Sequence, residues 1–103
     1  MADGVVEDVP EESRFVYREH GAEAELVYRR NGKRFILVHT GVPDELGGKG
    51  LGGMLVEAAL DRAKQEGLTV VPWCSFARGW LQRHPDATVG VTIDWDTQPP
   101  PPH

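Results

Sequence analysis

The sequence predicts a single-domain α/β fold with a mixed β-sheet and two main helices. Apolar and polar side chains alternate from Arg14 onward with the period of two that is typical of strands. A glycine-rich loop then leads into an amphipathic helical segment, and another apolar, strand-like run follows it. The chain has 103 residues, which is enough for one modest hydrophobic core and leaves little room for a second.

Two antiparallel strands are predicted first, joined by a turn at His20-Gly21. Phe15 and Tyr17 share one side of the first strand, because successive side chains point to opposite faces. The alternation continues in the second strand and indicates one buried and one solvated face. The apolar face of that strand consists of Ala22, Ala24, Leu26 and Tyr28.

A third strand is predicted after Asn31-Gly32, a dipeptide that is typical of a two-residue hairpin turn. Residues 35–39 are apolar enough to form a central strand. The basic residues around the turn are interpreted as its solvated tip, with an acidic partner or a cofactor phosphate as alternatives. These residues are Arg29, Arg30, Lys33 and Arg34.

The longest helix is predicted from Leu51 to about Glu66. Apolar side chains recur there with the 3.6-residue period, and charged side chains occupy the other face. Gly67 is suited to end the helix, because glycine readily adopts the left-handed conformation of a C-terminal cap. The apolar residues are Leu51, Met54, Leu55, Ala58, Ala59 and Ala63.

Residues 68–73 are predicted to form a fourth strand, parallel to the third because a helix connects the two. A second helix is predicted over residues 76–83 and should end before His84-Pro85, since proline disfavours helical geometry in the residue ahead of it. Residues 89–95 fit either a strand or irregular structure. The tryptophans are expected to pack in or beside the core; they are Trp73, Trp80 and Trp95.

The formal net charge of −5 is concentrated at the N-terminus. Residues 1–13 contain five acidic side chains and no basic one, which leaves 11 acids and 11 bases in the remainder. A nearly neutral remainder lacks the broad basic surface that nucleic acid requires. This acidic segment and the proline-rich residues 97–103 are predicted to be flexible tails around a domain at residues 14–96.

Cys74 is the only cysteine, so no internal disulfide is possible and no oxidising compartment is required. No apolar run approaches the roughly 20 residues of a membrane-spanning helix, and no secretory signal pattern is present. The four histidines and the cysteine show no metal-ligand spacing. We expect a cytoplasmic monomer without metal, membrane or nucleic-acid partners.

Residues 47–53 contain five glycines and Lys49, which predicts a phosphate-binding loop at the start of the long helix. Free amides at a helix N-terminus favour an anion, and the lysine adds a mobile positive charge. The alternative is a flexible connection, which would not need so many glycines in view of their entropic cost. Residues 48–53 also fit the dinucleotide fingerprint, but the acidic residue expected after the next strand is missing, and the Walker pattern is absent.

The order of these features resembles the GNAT acetyltransferase superfamily, and especially its small single-domain members. The superfamily signature Gln/Arg-x-x-Gly-x-Gly/Ala is matched at two of its three fixed positions in residues 47–52, with Gly47 in place of the Gln or Arg. His39-Thr40 precedes the loop, and Cys74 follows the fourth strand. The resemblance covers most of the predicted domain.

This resemblance implies that the chain binds acetyl-CoA or coenzyme A and transfers an acetyl group to an amine. The pyrophosphate would lie on the glycine loop, and the pantetheine arm would lie between two splayed parallel strands at residues 35–42 and 69–74. The acceptor would be a small-molecule amine, such as a polyamine, or an exposed amine of a protein or peptide. The implied cofactor-binding residues are Thr40, Val42, Gly48, Lys49, Gly50, Leu51, Gly52, Gly53 and Phe76.

Two residues are candidates for catalysis. His39 lies at the end of the predicted third strand, and imidazole is a common general base, although an isolated histidine is more often structural. Cys74 could accept the acetyl group before the amine does, or could be a small buried hydrophobic residue. The competing hypotheses are a non-catalytic CoA or acyl-CoA binding module and a structural or protein-interaction domain.

Overall fold

A computed structural model describes residues 4–99 of the chain. Within this range there are six strands, two α-helices and three short 3-10 turns. The strands are β1 (Val6–Val9), β2 (Arg14–Glu19), β3 (Ala22–Asn31), β4 (Arg34–Gly41), β5 (Thr69–Pro72) and β6 (Thr92–Ile93). The α-helices are α1 (Leu51–Glu66) and α2 (Ser75–Arg83), and neither is long and apolar enough to cross a membrane.

The strands lie in the sheet in the order in which they occur in the sequence. Neighbours from β1 to β4 are antiparallel, whereas β5 is parallel to both β4 and β6. The predicted α/β fold with a mixed sheet and two main helices is therefore confirmed. The predicted bounds agree with α1 at both ends and with α2 to within one residue.

Both predicted hairpins are present, and their turns use left-handed backbone angles. His20 and Gly21 join β2 to β3 with φ of +50° and +80°. The turn between β3 and β4 is formed by Gly32 and Lys33, one residue later than predicted. Gly32 has φ of +62°, which glycine adopts without steric cost. The dipeptide Asn31-Gly32 therefore identified the hairpin correctly, but it predicted the position of the turn only to within one residue.

Both α-helices pack on the same side of the sheet, here called the first face. Leu26 of β3 and Phe35 and Leu37 of β4 are fully buried there, beneath the apolar side of α1. Burying a side chain of this size stabilises the fold by about 1.5–3 kcal/mol. The second helix adds Ala77, Trp80 and Leu81 to the same core.

The opposite side of the sheet, here called the second face, carries apolar residues beneath charged ones. Val16, Ile36 and Val71 are buried but do not belong to the core between the sheet and the helices. Arg14 lies on this face and forms ion pairs with Glu23 and with a second glutamate on β3. The stems of such long side chains can cover apolar surface. Neither α1 nor α2 packs on this face.

The strand β4 contains a bulge that reverses which of its side chains face the helices. The pairing of β3 with β4 skips Val38, which is left over between the paired residues Leu37 and His39. Because strand side chains alternate, one extra residue moves every later side chain to the other face. Thr40, which pairs with the core residue Leu26, therefore points to the first face, and His39 points to the second face.

The strands β4 and β5 separate beyond Leu37. Their pairing ends where Leu37 lies opposite Pro72. The Leu37 carbonyl then accepts hydrogen bonds from the amides of Trp73 and Cys74, at 3.0 and 2.9 Å. Because β4 continues to Gly41, its last residues have no β5 residue beside them. The predicted splay between the two parallel strands is confirmed.

The strand β1 lies where the sequence predicts a flexible tail. It pairs with β2, and Asp8 accepts hydrogen bonds from the Tyr28 hydroxyl at 2.7 Å and from Arg62 at 2.9 Å. Burial, followed by the nearby Asp8 carboxylate, raises the pKa of Tyr28 to about 12. The prediction of a flexible tail over residues 1–13 is wrong for this strand, because Asp8 is held by Tyr28 and Arg62 from distant parts of the sequence. Residues 1–3 lie outside the described range.

A turn built on Asp94 directly follows β6. The Asp94 carboxylate accepts hydrogen bonds from the backbone amides of Asp96 and Thr97, both at 3.0 Å, and from the Thr97 hydroxyl at 2.7 Å. Arg34 lies 3.2 Å away. These contacts, with those of Thr97 the largest, lower the pKa of Asp94 to about 2. Of the tail predicted over residues 97–103, residues 100–103 lie outside the described range.

The Asp94 turn predicts a stability that depends on pH. Asp94→Asn is expected to lower the free energy of unfolding at neutral pH, because the N–H donors lose a charged acceptor. A carboxyl with a lowered folded-state pKa stabilises the fold above its unfolded pKa of roughly 4, and this contribution is lost as the pH falls through the folded pKa. The difference between wild type and variant should therefore shrink as the pH falls from about 4 to about 2.

Urea unfolding of the two proteins at neutral pH, about pH 4 and about pH 2 measures this difference. Thr97→Val is a partial control, because it removes the hydroxyl donor and keeps the Asp94 carboxylate. A difference between wild type and Asp94→Asn that stays constant across the three conditions would contradict the prediction.

Candidate functional site

A groove of about 510 Å³ lies between the end of β4, the glycine-rich loop and the start of α2. Eight of the nine residues predicted to hold a cofactor line it, and Lys49 does not. The structure thus brings together residues from three separate parts of the sequence. The lining residues that were not predicted are Pro43, Asp44, Leu46, Gly47 and Trp80.

The glycine-rich loop enters α1 through two residues in left-handed conformations. Gly48 and Gly50 have φ of +78° and +71°, and Gly50 is the N-cap of the helix. A side chain at either position would be strained. The Met54 amide donates to the Gly50 carbonyl at 3.2 Å, so the amides before it have no acceptor within the helix, and no side chain caps them. These amides and the helix dipole favour an anion in the groove.

The next two glycines serve the packing of α1 against α2. A Cβ atom at Gly52 would lie 2.5 Å from the Phe76 ring, and one at Gly53 would lie 2.5 Å from Nε1 of Trp80. Real Cβ atoms do not come so close to a neighbour, so only glycine lets the two helices approach here. The sequence assigned both glycines to phosphate binding alone, because nothing local indicates which aromatic residues will face them.

Trp80 lines the groove, a role that the sequence does not predict for it. The sequence predicts a packing role, and its side chain is indeed only 8% exposed and belongs to the core. It also lines the groove and stacks on His84 with 4.0 Å between the ring centroids. A rigid indole at this point gives the groove a fixed apolar wall.

Cys74 lies at the point where β5 turns away from β4. It is the N-cap of α2 and is 8% exposed. Its sulfur is 3.3 Å from the Thr40 hydroxyl, across the gap between the two strands. The structure therefore places Cys74 beside the groove-lining residue Thr40.

The lining of the groove combines two kinds of chemistry. Val42 and Phe76 are both about two-fifths exposed and supply apolar surface, and Leu46 is a buried lining residue. The glycine loop supplies backbone amides. A groove of this kind suits an extended ligand with a phosphate at one end and a less polar arm.

Lys49 points away from the groove. Its ammonium pairs with the carboxylate of Glu19, which also accepts a hydrogen bond from Tyr17. Lys49 first and Tyr17 second lower the pKa of the Glu19 carboxyl. The prediction that Lys49 lies in the binding site is not met in this arrangement, because Glu19 holds the side chain on the β2 side of the loop.

His39 lies outside the groove as well. The bulge in β4 turns its side chain to the second face, where it is exposed. A Cβ atom at Gly41, two residues later on the same face, would lie 3.3 Å from Nε2 of His39. The sequence makes His39 a catalytic candidate because it lies at the end of the third strand, and the structure places its side chain outside the groove, because the extra residue Val38 turns it to the second face. Any catalytic role of His39 has to act from the second face.

A second cavity, of about 390 Å³, lies between β1 and the C-terminal half of α1. Its basic residue Arg62 donates hydrogen bonds to Asp8 at 2.9 Å, to the Tyr28 hydroxyl at 2.6 Å and to Glu66 at 2.7 Å. This network ties β1 to the helix. It leaves Arg62 little capacity to bind a ligand, so the groove at the glycine loop is the better candidate.

Comparisons with known proteins give a family and a similar structure for this chain. The family model described as GCN5-related N-acetyl-transferase matches residues 14–89. Among solved structures, the chain is similar to the NMR solution structure of a "GCN5-like putative N-acetyltransferase" from Staphylococcus aureus. The two sequences are 29% identical, the alignment covers 93% of this chain and 95% of the other, and the TM-score is 0.70.

The contact between Gly53 and Trp80 predicts a destabilising substitution. Gly53→Ala is expected to lower the free energy of unfolding by about 1–3 kcal/mol, because its methyl group would overlap a buried indole that cannot move away. Alanine is otherwise the better helix former, so helix propensity alone predicts the opposite sign. Chemical denaturation of the variant and the wild type measures the change.

Gly79→Ala is the matched control, since Gly79 lies within α2 and an added Cβ would meet only the flexible end of Arg83, at 3.2 Å. This control should be neutral or stabilising by up to about 1 kcal/mol. Equal stabilisation by both substitutions would show that the two helices do not depend on the missing side chain at Gly53.

Proposed function

Because this chain belongs to the GCN5-related N-acetyltransferase family, we propose that it is a minimal N-acetyltransferase with acetyl-CoA as donor and an amine as acceptor. The observation that carries the proposal is the single groove in which the glycine loop, the free end of β4 and the start of α2 meet. Family membership supports acetyl transfer in general. Acetyl-CoA as the donor follows from what the family uses, and the acceptor side and the roles of the residues are proposed from the geometry.

The glycine loop is proposed to hold the pyrophosphate of CoA. The amides that precede Met54 lack a helical acceptor and lie beside Gly48 and Gly50, whose φ angles leave the loop backbone open to a ligand. Backbone amides do not depend on residue type. The glycine at position 47, where the superfamily has Gln or Arg, therefore removes one side-chain contact and keeps the main part of the anion site.

The free end of β4 is proposed to hold the pantetheine arm. Beyond Leu37, β4 has no β5 residue beside it, so backbone groups around Thr40 and Val42 can pair with amides of a ligand. Phe76 and Trp80 supply the apolar wall. When bound, acetyl-CoA supplies an acetyl thioester, which is activated for attack by a nucleophile.

The amine is proposed to approach from the second face. Both helices cover the first face, whereas His39 is exposed on the second face, directly beside Thr40 in sequence. An amine has to lose a proton as its nitrogen bonds to the acetyl carbon and the carbon–sulfur bond breaks. His39, or a water that it binds, is suitably placed to accept that proton.

Direct transfer to the amine is the version that the geometry favours over a route through Cys74. The sulfur of Cys74 contacts the Thr40 hydroxyl, which is not a general base at neutral pH, and the residue is nearly buried. A covalent route would require a base that deprotonates the thiol. The contact with Thr40 is consistent with a packing role for Cys74 at the start of α2.

The glycine loop predicts a selective loss of CoA binding. Gly50→Ala is expected to weaken CoA binding by roughly tenfold, or about 1.4 kcal/mol, because alanine shifts the backbone that presents the anion-binding amides. Chemical-shift titration of the labelled protein with CoA measures the dissociation constant. In the wild type, the shifts should cluster at residues 48–53, Thr40 and Cys74.

Gly67→Ala is the matched control for strain. Gly67 caps the other end of the same helix with φ of +66°, and an added Cβ would meet nothing within 4 Å there or at Gly50. Both substitutions should therefore cost similar stability, and only Gly50→Ala should weaken binding. Absence of binding by the wild type at saturating CoA would reduce the proposal to a shared fold.

The proposed route predicts different effects at the two candidate catalytic residues. His39→Gln is expected to lower kcat by about 100-fold, the usual effect of losing a general base. Cys74→Ala should keep turnover within about twofold, because direct transfer needs no acetylated enzyme. Acetylation of spermidine and of a lysine-containing peptide by acetyl-CoA measures both variants.

Loss of turnover in Cys74→Ala with unchanged CoA binding would support the covalent route instead. Full activity of His39→Gln would place the amine on the first face or leave proton transfer to water alone. Tight CoA binding by the wild type without transfer to any amine of a broad panel would favour the non-catalytic binding module.

A further inference from the structure

Lys49, the basic residue of the glycine loop, lies beside the groove between β4 and α2 and does not line it. Gly48 and Gly50 line the groove, whereas Lys49 between them lines a smaller cavity of about 220 Å³ with Glu19 and His20. The Lys49 ammonium pairs there with the Glu19 carboxylate at the end of β2. A phosphate in the groove would therefore meet the loop amides before it met the lysine.

The two members of this ion pair differ in their freedom to move. One carboxylate oxygen of Glu19 accepts from Lys49, and the other accepts a hydrogen bond of 2.6 Å from the hydroxyl of the buried residue Tyr17. The Glu19 side chain is 20% exposed, and that of Lys49 is 47% exposed. Lysine has a long flexible stem, and this one stands between two glycines. Lys49 is consequently the partner that can turn away.

The ion pair between Lys49 and Glu19 is weak enough for Lys49 to exchange Glu19 for a stronger acceptor. Ion pairs between partly exposed side chains contribute little, because water and salt screen them. Phosphate oxygens are stronger acceptors for a lysine. The Lys49 ammonium, ahead of the Tyr17 hydrogen bond, lowers the pKa of the Glu19 carboxyl. The carboxylate therefore remains charged at neutral pH and competes for the lysine.

We propose that Glu19 competes with the phosphates of the ligand for Lys49 and thereby sets the affinity of the groove for phosphate-bearing ligands. Without ligand, Lys49 pairs with Glu19; with ligand, it leaves Glu19 and pairs with a phosphate. The inference rests on the proposed CoA site. Glu19 lies outside the groove and acts through Lys49, so it determines specificity and takes no part in the chemistry.

Glu19→Gln tests this competition by removing the charge that holds Lys49. It is expected to tighten CoA binding by about threefold to fivefold, the range that a partly exposed ion pair allows. Binding of pantetheine, which has no phosphate, should be unchanged. Glu23→Gln is the matched control. Glu23 pairs with Arg14 and Arg18, so this substitution removes the same charge from the protein without changing the partner of Lys49.

A double-mutant cycle with Lys49→Ala shows whether Glu19 acts through the lysine. Lys49→Ala alone should weaken CoA binding by about tenfold, as expected for one charge-assisted contact. In the Lys49→Ala background, Glu19→Gln should have no further effect. Tighter binding in that background would mean that the carboxylate repels the phosphates directly, and would overturn the partner exchange.

A spectroscopic measurement gives a second readout, which a purely structural role of Glu19 would leave unchanged. Carbon-detected NMR titration of the Glu19 carboxyl should show that its pKa rises when CoA binds, because Lys49 has left. An unchanged pKa, or CoA binding that is equal or weaker in Glu19→Gln, would overturn the inference while the CoA site stands. Absence of CoA binding by the wild type would overturn both.

Discussion

At Leu37 the backbone of β5 stops following β4, and the candidate site depends on that separation. The Leu37 carbonyl accepts the amides of both Trp73 and Cys74, which ends β5 and starts α2 with Cys74 as its N-cap. The bulge at Val38 follows at once on β4 and turns Thr40 toward the helices. An unpaired stretch in the middle of a sheet has backbone groups that need partners. Such a gap fits a ligand that completes the pairing.

The glycine loop meets two constraints that a sequence motif does not separate. Gly48 and Gly50 are needed for their backbone angles, and both residues line the groove. Gly52 and Gly53 are needed because aromatic side chains of α2 occupy the space where a side chain would be. The first pair shapes the binding surface, and the second pair fixes its distance from the apolar wall. One short run of glycines therefore produces both the open loop and its close packing against the aromatic wall of the groove.

The distribution of charge shows why composition says little about the site. Lys49 of the loop faces Glu19, and Asp8 of β1 faces Arg62 and Tyr28. Both acids precede their partners by at least 20 positions in the sequence. The net charge of the chain contains no information on either of these ion pairs. Whether a lysine serves a ligand or a neighbouring carboxylate depends on which groups the fold places within reach.

Local signals in the sequence were sufficient for most elements between residues 14 and 83. The period of apolar residues, the turn at His20-Gly21 and the cap at Gly67 act over a few positions each, so they can be recognised without the rest of the chain. The same holds for the position of the glycine loop at the start of α1. The parallel pairing of β4 and β5 also followed from the helix between them.

The sequence by itself determined most of the elements between residues 14 and 83, their order and the location of the loop, because those properties arise from neighbouring residues. Tertiary structure decided which side chains face the groove. The bulge at Val38 depends on register with β3, the wall at Trp80 on the approach of two helices, and the orientation of Lys49 on a carboxylate 30 positions away. Each of these contacts joins segments that become neighbours only in the folded chain, and a one-residue shift in a strand is enough to exchange His39 for Thr40 at the site.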